Sequence, residues 1–292
     1  MVVAPVQKMR VISWNLLHGQ KIPPTDSQNW QVELETAAKT VSDKMQPDFL
    51  ALQEVDNYQT RSGGINQSKL IAESMQLKYW AYLPTLIGTP GEKWRKVKDL
   101  NKAIITSENF QSSDVASYGI ALATNEPIKK LYVKKLGRSL IGMPLLIPKD
   151  DGNGVRFIYV KDEPRVALIA ELENGFTIAT THLSFVPGVN IFQLNKLSSF
   201  LKKLAGISVL MGDLNLPANL PSKLSGFRSV LSQSTYPSWG PKIQFDYIMA
   251  RKSLLKNSRL IHQEIKSTNP GISDHIPIGV MFKSEAAPYL LN

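Results

Sequence analysis

The sequence contains no cysteine among its 292 residues. Disulfide bonds, thiolate metal ligands and cysteine nucleophiles are therefore all excluded. The absence of disulfides is compatible with a reducing compartment, and the first ten residues are too short and too interrupted for a secretory signal. We therefore expect a cytoplasmic protein.

Long apolar runs and linkers are also missing. No run approaches the roughly 20 apolar residues that a membrane-spanning helix needs. No internal repeat, low-complexity tract or stretch rich in proline, glycine and serine separates two halves of the chain. The sequence predicts a single domain over residues 1–292, with a core at about 10–282, a short tail at 284–292 and no obligate protein partner, so we expect a monomer.

Acidic residues are fewer than basic ones. The chain has 24 aspartates and glutamates against 34 lysines and arginines, which gives a formal net charge of +10. A basic surface attracts anions and favours partners that carry phosphate. It also increases solubility, so the charge alone leaves both explanations open.

Short apolar runs rich in valine, isoleucine and leucine indicate β-strands. Helical spacing of apolar residues predicts one helix from Trp30 to Met45, stopped by Pro47, a second around 191–204 and a shorter one at 67–75. Strands outnumber helices, which favours an α/β (α+β) fold with two sheets packed face to face and helices outside. The predicted strands are 10–15, 49–53, 119–124, 156–160, 166–172, 176–183, 207–211, 245–250, 259–266 and 276–282.

Two stretches contain no regular pattern. Residues 84–100 carry Gly88, Pro90 and Gly91 followed by a basic segment around Trp94, and residues 140–154 carry two prolines and a polar turn. We predict irregular loops for both, and a solvated one for 140–154. The basic Trp94 segment can bind a nucleic-acid backbone, touch an anionic membrane or simply be solvated. No hydrophobic hairpin that would anchor the chain to a membrane is evident.

Polar groups that bind metal or phosphate end or interrupt seven of the apolar segments. A buried charge is costly unless it is paired or bound to a metal, so we expect one shared site at the strand ends. The side chains are Asn15, Glu54, Tyr118, His182, Asp213 with Asn215, Asp246, and Asp274 with His275.

The acidic and amide residues suit metal-assisted hydrolysis. Glu54 follows a buried run, where a carboxylate is a natural ligand for a hard cation such as Mg²⁺. Asn15 can add an amide oxygen to that site, or its nitrogen can hold the carboxylate. Asp213 and Asn215 lie two residues apart and share one face of an extended segment. One can accept a proton from water while the other orients it; an ordinary Asp/Asn turn is the alternative.

The remaining polar residues suit phosphate binding. Asp246 lies inside an apolar run and needs a partner, for which His275 is the candidate; the charged imidazole can then bind a phosphate oxygen. Asp274 is free to take a metal. Arg165 can bind phosphate or only cap its strand, and Tyr118 can donate to phosphate or only pack.

With these pieces in order, the chain resembles the endonuclease/exonuclease/phosphatase superfamily from about Arg10 to Phe282. Each piece alone is weak, but the ordered set is specific. The matching segments are Ser13-Trp14-Asn15, Leu52-Gln53-Glu54-Val55, Ser117-Tyr118-Gly119 with Asn125-Glu126-Pro127-Ile128, Thr181-His182-Leu183, Gly212-Asp213-Leu214-Asn215, Asp246-Tyr247-Ile248 and Ser273-Asp274-His275.

The resemblance implies a four-layer sandwich of two mixed β-sheets with helices outside, and hydrolysis of a phosphoester assisted by Mg²⁺, for which Mn²⁺ can substitute. It implies that Glu54 binds the metal with Asn15, that Asp274 is an additional ligand, and that Asp213 activates the water. The same resemblance assigns Asn215 to positioning, His182 and His275 to phosphate binding, and Asp246 to orienting His275.

The substrate is less constrained by the sequence. Val55-Asp56 after Glu54 differs from the Thr-Lys that is common in abasic-site endonucleases, which argues against that activity. The net charge makes a nuclease the leading hypothesis, with nucleic acid as the favoured partner. A phospholipid, sphingomyelin or phosphoinositide substrate with the same chemistry is the alternative. A non-catalytic binding module is a third, disfavoured because Glu54, Asp213 and His275 are all present.

Overall fold

The structure, a computed structural model, describes residues 7–25, 28–111, 115–148, 155–256 and 260–284. The predicted tail at 284–292 lies, apart from Ser284, outside the described residues, as does the polar turn at 150–154. Two mixed β-sheets and five helices form the body of this part of the chain.

The first sheet has eight strands within the described residues. Strands Gln7–Asn15 (β1) and Phe49–Asn57 (β2) are parallel, whereas the other pairs are antiparallel. In spatial order they are Leu260–Ile265 (β15), Ile278–Ser284 (β16), Gln7–Asn15 (β1), Phe49–Asn57 (β2), Ser117–Thr124 (β6), Tyr79–Gly88 (β3) and Trp94–Lys96 (β4), with Ile105–Thr106 (β5) also paired to β3.

The second sheet has six strands in the same part of the chain. Strands Phe176–His182 (β11) and Ile207–Asp213 (β12) are parallel, and the other pairs are antiparallel. Their order is Phe227–Ser229 (β13), Asp246–Arg251 (β14), Ile207–Asp213 (β12), Phe176–His182 (β11), Arg165–Leu172 (β10) and Ile128–Gly137 (β7).

Helices cover the outer faces of both sheets. Asn29 and Asn66 cap the first two helices by accepting backbone N–H bonds from Val32 and Lys69, at 3.3 and 2.9 Å. The predicted long helices and the shorter one are thus present. The helices are Trp30–Met45 (α1), Gln67–Ser74 (α2), Val189–Leu201 (α3), Leu220–Leu224 (α4) and Lys252–Lys256 (α5).

Apolar side chains form three clusters among the described residues, one for each gap between layers. Val11 and Leu168 lie in the cluster between the two sheets. Leu34 belongs to the cluster between α1 and the first sheet, and Leu197 to the one between α3 and the second. Burial of each such side chain contributes about 1.5–3 kcal/mol. The four-layer sandwich of two mixed sheets is therefore confirmed.

Residues 84–100 are not the irregular loop that the sequence predicts. Strand β3 runs through Pro84 to Gly88 and then pairs with β4, which contains Trp94. The β3–β6 register shifts between Pro84 and Leu86, and such a bulge tolerates a proline that cannot donate a hydrogen bond. The glycines and prolines here mark a bulge and a turn within a hairpin.

Residues 140–148, the part of 140–154 that the structure describes, are not the irregular loop that the sequence predicts. Strand Met143–Pro148 (β8) pairs with Val155–Val160 (β9) in a separate two-stranded sheet. Four apolar side chains at this hairpin are largely exposed: Leu140 at 95%, Ile141 at 68%, Phe157 at 74% and Tyr159 at 63%. A hairpin with exposed apolar side chains is therefore present, which the sequence did not predict. Strand β8 escaped prediction because prolines and neighbouring charged residues obscure its alternating pattern. None of the helices in the described residues has the length and apolar character needed to cross a bilayer.

The topology brings the ends of several strands to one edge of the sandwich. The carboxyl ends of β1 and β2 lie together, as do those of β11 and β12. Cross-strand neighbours in the second sheet place His182 beside Asp213, and Asp213 beside Asp246, so three adjacent strands carry one polar row.

Candidate active site

Asn15 links the two sheets at this edge. Its side-chain Nδ2 donates to Glu54 Oε1 at 3.0 Å and to Asp213 Oδ2 at 3.1 Å, and its Oδ1 accepts from the backbone N–H of Leu17 at 3.1 Å. Of the two roles that the sequence left open, this orientation presents the amide nitrogen to both carboxylates.

A bulge in β2 directs Glu54 into the site. The β2–β6 register shifts between Leu52 and Val55, and Glu54 has a φ of 55°, which non-glycine residues rarely adopt. Such a backbone costs about 1–3 kcal/mol and persists only where the surrounding structure holds it. The strained backbone is that of Glu54, whose side chain lies in the cluster with His182 and Asn15.

The segment after β12 places an acid, an amide and a histidine together. Asp213 Oδ1 accepts from the backbone N–H of Asn215 at 2.9 Å, and Asn215 has a φ of 49°. Asn215 Nδ2 lies 3.2 Å from His182 Nε2 and donates to the Leu183 carbonyl at 3.0 Å. The turn therefore fixes Asn215 between β11 and β12.

Gly212 allows this close approach, and we expect Gly212→Ala to destabilise the fold. Its φ is 134°, and a Cβ there would lie 1.9 Å from the carbonyl oxygen of Thr181 on β11. Backbone strain and overpacking together predict a loss of about 3 kcal/mol or more in the free energy of unfolding, measured by chemical denaturation.

Gly240→Ala is the matched control for Gly212→Ala. A Cβ at Gly240 meets nothing within 4 Å, and its φ is not positive. We expect a change within about 0.5 kcal/mol. Equal stability of the two variants would show that Gly212 does not set the β11–β12 spacing.

His275 pairs with Asp246. The Nδ1 atom of His275 lies 2.7 Å from Asp246 Oδ2, and Nε2 lies 3.8 Å from Asp213 Oδ2. Burial opposes the charge on the imidazole, but Asp246 and then Asp213 and Asp274 outweigh it and hold the pKa of His275 well above its usual value. His275 is therefore the cationic histidine of the site.

His182 has the opposite character. Its Nε2 lies 3.6 Å from Asp213 Oδ2, and its Nδ1 lies 3.9 Å from Glu54 Oε1. Burial, followed by the charges of Arg165 and His275, lowers the pKa of His182 well below its usual value. One neutral and one charged imidazole therefore flank the same carboxylate.

Burial and mutual repulsion disfavour negative charge on the carboxylates of this cluster. Burial, and then Asp274, raises the pKa of Glu54 to about 7; burial also raises the pKa of Asp213 to about 7 and that of Asp274. Buried Oδ1 of Asp246 has no hydrogen-bond partner among the described residues, and ligand atoms of Asp213, Asp246 and His275 lie within 4.8 Å of one another. Oxygen and imidazole donors this close together, one of them a buried oxygen without a partner, fit a divalent cation, which would also favour the ionised carboxylates.

Tyr118 and Arg165 border the cluster. Both are buried, and with His182 they line a small cavity of about 10 Å³. Arg165 Nε lies 3.3 Å from Asp162 Oδ1, which holds the guanidinium at the site boundary. Among the described residues, neither side chain donates a hydrogen bond to Glu54, Asp213, Asp246 or Asp274. The phosphate-binding roles predicted for Tyr118 and Arg165 therefore depend on a bound substrate.

An ion pair between Arg61 and the buried Asp56 lies near this cavity and was not predicted from the sequence. Arg61 Nε and its NH2 group each donate to Asp56 at 2.8 Å, Ser62 Oγ donates to Asp56 at 2.9 Å, and the guanidinium carbon of Arg61 lies 5.7 Å from the centre of the Tyr118 ring. A buried aspartate two residues after Glu54 was the available signal. Tyr236, whose ring centre lies 5.1 Å from that of His275, was likewise not assigned to the site from the sequence.

All the residues that the sequence predicted for the site lie at this one edge. Contacts of 4.0 Å or less connect eight of them, whereas Tyr118 and Arg165 line the adjoining cavity. The metal-binding and catalytic roles assigned to them remain predictions. The connected residues are Asn15, Glu54, His182, Asp213, Asn215, Asp246, Asp274 and His275.

Comparison with known proteins gives a consistent result. A protein from Beutenbergia cavernae of the endonuclease/exonuclease/phosphatase type has 16% sequence identity and a TM-score of 0.57, covering 97% of this chain and 73% of its own. A mannosyl-6-phosphatase from Bacteroides thetaiotaomicron has 13% identity and a TM-score of 0.55, covering 94% and 99%. ANGEL2, a 2′,3′-cyclic phosphatase, has 15% identity and a TM-score of 0.56, covering 96% and 97%.

These likenesses establish the fold. No curated protein sequence matches the chain. The family model, in contrast, covers residues 12–275 and therefore includes every residue of the cluster. The chain thus belongs to the Endonuclease/Exonuclease/phosphatase family and is a hydrolase of phosphoester bonds.

Proposed function

We propose that this protein is a Mg²⁺-dependent phosphodiesterase that cleaves nucleic acids by water attack. The observation that carries the proposal is the convergence of Glu54, Asp213, His182 and His275 within contacts of 3.6–3.9 Å. The net charge of +10 favours a polyanionic substrate. We further propose that it acts as a cytoplasmic monomer.

The metal would be held at the acidic end of the cluster. Glu54 and Asp274 would be ligands, and Asn15 would hold Glu54 in place through its amide nitrogen. Mg²⁺ fits the oxygen donors, and Mn²⁺ would substitute. When bound, the cation offsets negative charge on the phosphate oxygens, a contribution of several kcal/mol to transition-state stabilisation.

The residues around Asp213 would activate and position the water. Its raised pKa, about 7, lies close to neutral pH, which suits a group that accepts a proton. Asn215 donates to the Leu183 carbonyl and approaches His182, so its side chain is held in a fixed position close to Asp213, where it would orient the attacking water. Asp213 is thus the proposed base and Asn215 the positioning residue.

The two histidines would bind the scissile phosphate in different ways. His275, kept charged by Asp246, contributes a positive charge where negative charge develops on a phosphate oxygen. His182, whose pKa is lowered, would stay neutral and donate a single hydrogen bond to a phosphate oxygen. Arg165 and Tyr118, at the border of the cluster, would contact the remaining phosphate oxygens.

A substrate panel tests the proposal. Single- and double-stranded DNA and RNA are incubated with Mg²⁺, with Mn²⁺ or with chelator. We expect cleavage of at least one nucleic acid with either metal and none with chelator. Cleavage that persists in chelator would contradict the metal-dependent mechanism, and failure to cleave any of the four would remove the nuclease assignment.

Glu54→Gln is the control in the same panel. The variant keeps the size of the side chain and a hydrogen-bonding group, but it lacks the charge that would bind the cation. We expect activity to fall by on the order of a thousandfold, with partial recovery at high Mg²⁺. Unchanged activity of Glu54→Gln would show that the metal is held elsewhere.

A lipid phosphodiester is the second candidate substrate. The observation in its favour is the exposed apolar surface of the β8–β9 hairpin, which includes Phe157 and Tyr159. Release of a phosphorylated head group from sphingomyelin or phosphoinositide vesicles, lost in Phe157→Ser, would favour lipid over nucleic acid.

A further inference from the structure

A basic groove lies beside the candidate active site and shares a wall with it. Its volume is about 190 Å³. Residues of β3 and β10 line both the groove and the small cavity next to His182. The shared residues are Thr85, Pro164, Arg165 and Val166.

Three exposed cations line this groove. Lys96 comes from β4 at the edge of the first sheet, whereas Lys135 on β7 and Arg138 just after it come from the edge of the second. No carboxylate of the described residues forms an ion pair with any of the three. Like charges that converge without counter-charges repel one another, and an anion in the groove would relieve that repulsion.

The groove also has a fixed boundary and an apolar floor. Asp162 holds the buried Arg165 guanidinium, which separates the groove from the cavity. Val97 and the buried Leu100 supply apolar surface, and the Arg138 guanidinium lies over the Trp94 ring at 5.8 Å. A nucleic-acid strand matches this combination, because it alternates charged phosphates with bases whose flat faces pack on apolar and aromatic side chains.

We propose that the groove binds the phosphate next to the scissile one in a nucleic-acid strand. The inference rests on the proposed function, because it adds a second phosphate site to the same substrate. A phospholipid with a single phosphate, such as sphingomyelin, would place that group in the catalytic cluster and leave the three groove cations unpaired. A polynucleotide presents further phosphates at regular intervals, so it satisfies both sites at once.

Removal of the groove charges tests the proposal. The triple variant Lys96→Gln/Lys135→Gln/Arg138→Gln is compared with Lys39→Gln/Lys203→Gln/Lys256→Gln, which removes three exposed lysines elsewhere. The substrates are a fluorescent oligonucleotide and bis(p-nitrophenyl) phosphate, which has a single phosphate. We expect the ratio of the oligonucleotide kcat/KM to the bis(p-nitrophenyl) phosphate kcat/KM to fall at least tenfold in the groove variant only. The slope of log(kcat/KM) for the oligonucleotide against log salt concentration should become shallower by about 0.7 for each lost phosphate contact.

Direct binding separates this proposal from the proposed function. Fluorescence anisotropy with the oligonucleotide in chelator needs no hydrolysis, and we expect a tenfold or greater loss of affinity in the groove variant at unchanged Tm. If wild type cleaves no nucleic acid but this loss is seen, the groove still binds a nucleic-acid phosphate, whereas the nuclease assignment fails. Equal losses of oligonucleotide affinity in both triple variants would overturn the groove assignment. So would a groove variant that binds the oligonucleotide as wild type does but no longer binds vesicles of anionic phospholipid in a parallel assay.

Discussion

Replacing Asp213 with asparagine is expected to lower kcat/KM for any phosphoester substrate by about a thousandfold. The variant keeps the acceptor for the Asn215 backbone N–H, which lies 2.9 Å from Asp213 Oδ1, but it cannot take a proton from water. Steady-state kinetics with Mg²⁺ on the cleaved substrate measures the effect. Activity within tenfold of wild type would remove Asp213 from the role of base.

The same substitution also predicts a change in how stability depends on pH. Burial raises the pKa of Asp213 from 3.8 to about 7 in the folded protein, so the folded state binds more protons between these values. The stability that this group contributes is complete below about pH 4 and is lost as the pH rises through 7. In chelator, Asp213→Asn should therefore gain stability relative to wild type between about pH 5 and pH 8.

Urea denaturation at several pH values measures this gain. Glu54 contributes a loss of the same sign, because its pKa is also raised to about 7. It is present in both proteins, so to a first approximation it cancels from their difference. Parallel stability curves for the two proteins would show that Asp213 is not held at a raised pKa by its surroundings.

The Asp246–His275 pair is expected to act as one unit. His275→Ala removes the cation, and Asp246→Asn leaves the imidazole without the carboxylate that lies 2.7 Å from its Nδ1. Each variant should lose on the order of a hundredfold or more in kcat/KM, and the double variant should be little worse than His275→Ala. Losses that multiply in the double variant would mean that the two residues act independently.

A pH profile distinguishes orientation of His275 from a general loss of structure. Asp246 raises the pKa of His275, so removing its charge should shift the alkaline fall in activity to lower pH. His262→Gln is the control, because His262 is exposed on β15. We expect the pH profile of activity of this variant to match that of wild type. An unshifted alkaline limb in Asp246→Asn would indicate that another group controls it.

The strand ends that carry the site could be predicted from local sequence. Asn15, Glu54, His182 and Asp213 each terminate or follow an apolar run, and an apolar run indicates a buried strand wherever it occurs. Strands β7 and β8 escaped prediction because lysines in one and prolines in the other obscure the apolar pattern. Edge strands commonly have such residues, since they pair on one side only.

What the sequence by itself determined was which residue types stand at which strand ends, and hence the hydrolase family. Only the tertiary structure decided the partners: that Asn15 bridges Glu54 and Asp213, that Arg61 with Asp56 lies over Tyr118, and which groups share the groove. The physical reason is that hydrophobic periodicity is a local property of the chain. A contact such as that between Asn15 and Asp213, which are 198 positions apart in the chain, depends instead on which strands pair and on how closely the two sheets pack.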